Sequence, residues 1–194
     1  LSFYYHYLAK IKKDDEVDEF ADASHLGTAV HSALDEVYEK GILNENLIKD
    51  WQPKILKQII KEYRAILKNN NLDEGKNYLS VEIAKKLTQN FLDLEKKEIL
   101  KAKQNGEQIT ILGLEDDLEG RIVANGEKFN LKGRVDRVDE VGDFLRIIDY
   151  KTGKVEAGEV TFFNWDELSE TNKKAKAFQL LMYAYLYLNK NPQY

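Results

Sequence analysis

Gly133-Arg134-Val135-Asp136-Arg137-Val138-Asp139-Glu140-Val141-Gly142-Asp143-Phe144-Leu145-Arg146-Ile147-Ile148-Asp149-Tyr150-Lys151 is the stretch on which the reading of this chain turns. Gly142-Asp143 fits a two-residue hairpin loop, with glycine at the first central position as a type II′ turn requires. That register sets Val141 against Phe144 and Asp139 against Arg146, an apolar pair and an opposite-charge pair. It also sets Asp136 against Asp149 and Arg134 against Lys151. Facing carboxylates repel, and facing cations repel, so a purely structural hairpin avoids both. A divalent cation between the aspartates removes the first conflict, and a phosphate near the two cations removes the second. Alternation puts Asp149 and Lys151 on one face of their strand and Tyr150 on the other. The bland alternative is an exposed hairpin with scattered charges, since Asp-x-Lys is common by chance. The apolar Leu145, Ile147 and Ile148 just before it argue against that alternative.

Upstream, the β pattern extends back to about Gln108. Ile109, Ile111 and Leu114, then Leu118, Arg121, Ile122 and Val123, are rich in strand formers. Asn125-Gly126 predicts a type I′ hairpin, because both of its central residues need positive φ. Further strands are predicted from Phe129 to Val141 and from Phe144 to Tyr150. Downstream, Ala175 to Leu188 is apolar on several faces and predicts a buried helix.

The first half of the chain is helical in period. Gly27, His31, Leu34 and Tyr38 recur on one helix face, which Gly41 is expected to end. A second helix carries Leu47, Ile48, Trp51, Ile55, Ile59 and Tyr63, and is expected to begin near Pro53. After Asn69-Asn70-Asn71, a third helix carries Leu79, Ile83, Leu87, Phe91 and Leu94 as its expected apolar face. The order is helices, an antiparallel meander, then a helix on the sheet. It makes one α/β domain over residues 1–194, with residues 1–105 mainly helical and residues 106–194 carrying the sheet and the candidate active site. Both ends read as cut, so the domain is expected to be a fragment of a longer chain.

Composition narrows the function. With 43% hydrophobic, 32% charged and 11% aromatic residues, the chain has the makings of a packed core and not of a disordered segment. No apolar run approaches a membrane span, and Leu1-Ser2-Phe3-Tyr4-Tyr5 lacks the basic flank and apolar core of a signal peptide. There is no cysteine, which excludes disulfides, a thiol nucleophile, an iron–sulfur cluster and a zinc–cysteine site within this chain. That fits a reducing, cytoplasmic setting. The net charge of −5 is unusual for a nucleic-acid binder, but local cations decide phosphate binding. Lys54, Lys57, Lys61, Arg64 and Lys68 recur at helical spacing; such a stripe is either a phosphate-binding surface or a plain solvated face.

Gly133-Arg134-Val135-Asp136-Arg137-Val138-Asp139 followed by Ile148-Asp149-Tyr150-Lys151-Thr152-Gly153 resembles the PD-(D/E)XK nuclease superfamily, in its RecB/AddB-like branch. Gly27-Thr28-Ala29-Val30-His31 resembles that branch's histidine motif, and Gln179-Leu180-Leu181-Met182-Tyr183 its Gln-x-x-x-Tyr helix. The resemblance implies a restriction-endonuclease-like core, a central mixed sheet flanked by helices. It implies that His31, Asp136, Asp149 and the Tyr150 carbonyl bind Mg²⁺ or Mn²⁺. Lys151 would orient or deprotonate the attacking water and help neutralise the phosphate. Asp136, Asp149, Lys151 and Gln179 make up the implied catalytic set, with Arg134 and Tyr183 on the DNA. Glu115 lies in an upstream strand where related nucleases often carry an acid; a plain surface carboxylate is the equal alternative. The activity implied is metal-dependent hydrolysis of DNA phosphodiester bonds, in the nuclease domain of a DNA-repair helicase–nuclease. Its implied partners are DNA and a helicase, on a separate subunit or on the same chain. The branch often pins its core with a cysteine-bound iron–sulfur cluster; this chain has no cysteine, so either the ligands lie beyond its ends or this is a cluster-free member. A catalytically silent DNA-binding or scaffolding module on the same fold is the rival reading, and the intact Asp136, Asp149 and Lys151 weigh against it. A phosphate-binding metabolic enzyme has no support, since no Gly-rich phosphate loop or Gly-x-Ser-x-Gly occurs.

Overall fold

The computed structural model describes residues 21–67, 71–170 and 172–194. Leu1–Tyr5, Lys68 and the Asn69-Asn70 break lie outside the described residues. Asn125 and Gly126, at φ 52° and 80°, join a strand at Ile109–Ala124 to one at Glu127–Val141. Gly142, at φ 57°, joins the latter to Phe144–Ile148. The register of this second hairpin is the expected one, with Val141 opposite Phe144 and Asp139 opposite Arg146. A short strand at Gly41–Ile42, which the sequence pattern does not announce, pairs with Thr110 and Ile111. In chain order these are β1 (Gly41–Ile42), β2 (Ile109–Ala124), β3 (Glu127–Val141) and β4 (Phe144–Ile148), and they lie in that order in the sheet. The α/β class with a helical first half holds. Among the described residues every pairing is antiparallel, the meander expected from the strand pattern rather than a mixed sheet. Two-residue loops reverse the chain, whereas a parallel pair needs a crossover.

Three helices precede the long hairpin: α1 (Ala23–Asp35), α2 (Glu45–Leu67) and α3 (Gly75–Gln104). Asp22 caps α1 by accepting from the N–H groups of Ser24 and His25 at 2.8 and 3.0 Å. α1 stops at Asp35, and Gly41 opens β1 instead of ending the helix. The chain has to leave the helix there to reach the edge of β2, where the Leu43 N–H donates to the Ile109 carbonyl at 2.9 Å. α2 starts at Glu45 and not near Pro53, because the Asn44 side chain accepts from the N–H groups of Asn46 and Leu47 at 3.1 and 3.2 Å. Pro53 therefore sits inside the helix, at an exposed position, where its missing N–H forfeits one bond of a long ladder.

α3 corrects the expected face. Leu79, Ile83 and Leu94 are exposed, while Val81, Ala84, Thr88, Leu92, Glu95 and Ile99 are buried. Apolar residues lie on two sides of this helix, and the side carrying the small Ala84 and Thr88 is the one that packs inward. The single-turn helices α4 (Ala157–Val160) and α5 (Glu167–Glu170) lead to α6 (Ala175–Lys190). The last helix is less buried than its apolar sequence predicts. Ala177, Leu186 and Tyr187 are covered, but Phe178, Tyr185 and Leu188 are exposed, because one layer of sheet covers one side of a helix.

Two apolar cores result. The larger joins α1, α2 and α3 to Ile109 and Ile111 of β2; the smaller sets Leu118, Val135 and Val138 against Leu186 and Tyr187 of α6. β3 carries Arg137 into full burial, where the guanidinium binds both oxygens of Glu95 at 3.0 Å and Asp139 at 2.9 Å. Asp139 in turn holds Arg146 of β4 at 2.6 and 2.9 Å. This ionic ladder fastens α3 to the hairpin.

Candidate active site

The end of β4 and the middle of β3 meet under α1. α1 is anchored by Ala29, Val30, Ala33 and Leu34, all buried, and this presents His31 to the sheet. His31 Nε2 lies 2.9 Å from the carbonyl oxygen of Tyr150. A carbonyl only accepts, so Nε2 carries the hydrogen, and in the neutral ring Nδ1 keeps its lone pair. Nδ1 stands 3.7 Å from the Asp136 carboxylate. In that neutral form two electron-rich atoms face each other across the gap, whereas a protonated ring pairs with the carboxylate.

Glu115 completes this arrangement. It lies between the β2–β3 pairs Leu114–Arg137 and Asp116–Val135, beyond a register shift between Ile111 and Gly113. Its φ of 46° is unusual for a residue with a side chain, and such strain persists only where the surroundings hold it. Ligand atoms of His31, Glu115 and Asp136 all lie within 4.8 Å of one another. Burial pushes the Asp136 carboxyl above its ordinary range; the Tyr150 N–H, donating to it at 2.5 Å, and nearby His31 oppose that, while Asp149 adds to it. Burial also raises Glu115, followed by the charges of Asp136 and Asp35. The protein thus holds carboxylates close together that it does not neutralise. Two hard oxygen donors and one imidazole suit a divalent cation such as Mg²⁺ or Mn²⁺. The residues fit the metal.

Asp149 and Lys151 follow directly. β4 ends at Ile148 and not at Tyr150, so the ladder stops one pair short of setting Asp136 against Asp149. The Tyr150 N–H turns to the Asp136 carboxylate instead, and the Lys151 ammonium pairs with the Asp149 carboxylate. Asp149 therefore sits beside the His31–Glu115–Asp136 group without belonging to it in this arrangement. The Tyr150 ring is wedged edge-on against Phe91 at 5.2 Å and His31 at 5.8 Å. That contact fixes the backbone between Asp149 and Lys151.

Arg134 departs from its expected position. It lies opposite Asp117 of β2, not Lys151, and grips that carboxylate through two bonds of 2.8 and 3.1 Å. The predicted clash of facing cations does not arise, and with it goes the argument for a phosphate at that spot. On α6, Gln179 Nε2 donates to the Tyr183 hydroxyl at 2.7 Å, one turn on. The Tyr183 ring lies over Gly133, where an added Cβ would meet it at 2.8 Å. This accounts for glycine at the head of the motif: it lets α6 approach the strand that carries Asp136. Lys54, Lys57, Lys61 and Arg64 lie along α2, with Lys54, Lys61 and Arg64 exposed and Lys57 exposed beside them. That helix touches α1 next to His31, where the Ser32 hydroxyl donates to Glu62 at 2.9 Å.

The partnership of Glu95 with Arg137 is the contact that the sequence did not announce. Glu95 sits in an amphipathic helix among many acids, and nothing in its spacing marks it. Glu115 carried one faint signal, an acid amid strand formers ahead of the motif.

With this fold and geometry, the chain belongs to the PD-(D/E)XK nuclease superfamily, whose profile matches residues 1–194. Among its relatives is an ATP-dependent helicase/deoxyribonuclease subunit of Clostridium perfringens, 27% identical over 175 residues, which cover 84% of this chain and 15% of that protein. The protein of the same name in Alkaliphilus metalliredigens is 51% identical over 53 residues, 24% of this chain and 5% of the relative. That of Clostridium tetani is 58% identical over 36 residues, 16% of this chain and 3% of the relative. The chain thus spans a small part of these relatives' length. No solved structure matches it.

Proposed function

We propose that this chain is a divalent-metal-dependent deoxyribonuclease, the nuclease domain of a cytoplasmic helicase–nuclease acting in DNA repair. The observation that carries the reading is the convergence of His31, Glu115 and Asp136 beside the Asp149–Lys151 pair. In this reading residues 1–194 are one nuclease domain, whose helical part supplies His31 and whose sheet part supplies the acids and Lys151. Relatives named as helicase/deoxyribonuclease subunits support a DNA substrate and a helicase partner. Among the described residues no helix is long and apolar enough to cross a membrane.

His31, Glu115 and Asp136 would hold the cation, with Asp149 and the Tyr150 carbonyl at hand once Lys151 and His31 release them. A divalent cation held there lowers the pKa of a water and neutralises charge on the phosphate. Lys151 does the rest of the positioning: released from Asp149, its ammonium faces the scissile phosphate and orients the attacking water. The water oxygen loses a proton to bulk solvent and forms a new bond to phosphorus as the bond to the departing ester oxygen breaks. Solvent returns a proton to that oxygen. Gln179 and Tyr183, bonded to each other, brace α6 against β3 and present Tyr183 to the strand.

The test is cleavage of linear and circular DNA by the purified chain with Mg²⁺ or Mn²⁺, beside Asp149→Ala. Cleavage by the wild type, lost in the variant and in EDTA, is the expected result. Undiminished cleavage by pure protein in EDTA overturns the metal mechanism, and no cleavage with either metal returns the chain to a silent DNA-binding module.

A further inference from the structure

Beside Asp149 and Lys151 lies a cleft of about 360 Å³ that the phosphodiester chemistry does not use. Its walls are apolar: Leu87 and Phe91 of α3, Val160 of α4 and Leu180 of α6. Asp149, Tyr150 and Lys151 line the same space, so the apolar slot and the reacting end of the site are continuous. A second cation, Lys176, lies on its wall and is bonded to Glu159 at 2.6 Å. The Phe91 ring is held edge-on to the Tyr150 ring at 76°, which fixes an aromatic surface within the slot.

We propose that this cleft is a subsite for one unpaired nucleobase of the DNA strand whose phosphate lies at Lys151; the proposal rests on the nuclease reading above. The volume is within the roughly 300–1,000 Å³ range of sites that enclose a small ligand. A nucleotide presents a flat ring with apolar faces a short distance from a phosphate anion. An apolar slot that shares its lining with Lys151 is complementary to both parts at once. An apolar protein segment would fill the slot equally well, but the slot shares its lining with Asp149 and Lys151, and such a segment would block the strand's phosphate there. A base within a duplex is paired at its edge and stacked on both faces, so only an unpaired base enters. The cleft then selects strand ends and single strands by geometry, with no contact that reads sequence.

The test uses the whole chain with a short single-stranded DNA oligonucleotide, one containing 2-aminopurine, and an oligomer of the same length made of abasic sites. Val160→Trp narrows the slot from an exposed wall position and removes no hydrogen bond. Wild type is expected to bind the normal oligonucleotide about 10-fold more tightly than the abasic one, the worth of one stacking contact. Val160→Trp is expected to lose that advantage while binding the abasic oligomer as before. The 2-aminopurine fluorescence should change on binding wild type and not on binding the variant. Hydrolysis of methyl 4-nitrophenyl phosphate, which carries no base, should be unchanged in Val160→Trp. Equal affinity of wild type for normal and abasic strands, or a variant that discriminates as well as wild type, overturns the proposal. Because binding is read without cleavage, failure of the subsite and failure of the nuclease reading give different results.

Discussion

Neighbouring residues of β3 meet charge in opposite ways. Arg137 is fully buried, yet the protein itself balances its charge: Glu95, Asp139 and the face of Tyr38, 5.1 Å away, surround the guanidinium, of whose nitrogens Nε is left without an acceptor. Asp136 is almost as buried, but the groups near it include Glu115 and Asp149, which share its sign. The first cluster balances its own charge. The second is left open, with ligand atoms of two carboxylates and an imidazole within 4.8 Å of one another. A charge network that the fold completes serves the fold, whereas one that it leaves incomplete implies something from outside. On the proposed function, that difference separates the structural half of the Arg134–Asp139 motif from its chemical half.

The sharpest way to break this comparison is to remove one member of each cluster. Asp136→Asn and Lys151→Ala should each lower DNA cleavage by roughly a thousandfold, read as initial rates at saturating Mg²⁺, with unchanged circular dichroism. If Asp136→Asn unfolds the protein, Asp136 belongs with Arg137 as a structural residue. Arg137→Leu should act in the opposite sense. It strands Glu95 without its cation and leaves Asp139 to Arg146 alone, and denaturant unfolding should show a loss of about 3–5 kcal/mol. A stably folded Arg137→Leu with wild-type unfolding behaviour would mean that the closed network contributes nothing to the fold.

Metal and pH sharpen the same contrast. Asp136 and Glu115 hold protons more tightly in the folded chain than their ordinary values, chiefly through burial. The folded state therefore binds more protons than the unfolded one between the two sets of values. Their contribution to stability is present below the unfolded carboxylate range, near about pH 4, and is lost as pH rises through the folded values. Without metal, melting temperatures should reflect that loss on going toward neutrality. Mn²⁺ at about a hundred times its Kd should add about 2.7 kcal/mol at neutral pH. Melting that ignores Mn²⁺ at neutral pH would count against a cation site. His31→Ala should weaken Mn²⁺ binding about 10-fold or more in calorimetric titration while leaving the metal-free melting temperature nearly unchanged. An equal loss of stability with and without metal would instead make His31 a packing residue.

The smallest expected effect concerns the exposed cations of α2. Neutralising Lys57, Lys61 and Arg64 together should make the slope of log K against log salt shallower by roughly 2, since each phosphate contact on a single strand contributes about 0.7. An unchanged slope returns the stripe to a solvated face. Arg134 is not expected to add to this slope, because Asp117 already neutralises it.

The hairpins and their register were legible because two-residue loops leave the chain one way to return, and a slip of one residue would turn every side chain to the other face. From Gly142-Asp143 alone the pairs Val141–Phe144 and Asp139–Arg146 follow. Asp136, Asp149 and Lys151 stood out as the candidate chemical residues for the same local reason. The third helix was not legible in this way. Its apolar residues occupy two sides, and periodicity cannot say which side meets α2. The partner of Arg134 was missed because the pairing with β2 lies beyond the short hairpin that the motif defines.

What the sequence by itself determined is therefore the order of elements, the register of the two hairpins and the family to which the motifs belong, all encoded within a few consecutive residues. What only the tertiary structure decided is how distant residues converge: His31 reaching Tyr150 across 119 residues, Glu95 closing on Arg137 across 42, and Glu115 joining Asp136. Turn chemistry and alternation act through backbone dihedrals of neighbours, so they are written locally. Convergence depends on which helix faces pack together, and that is settled by the shape and burial of the whole core.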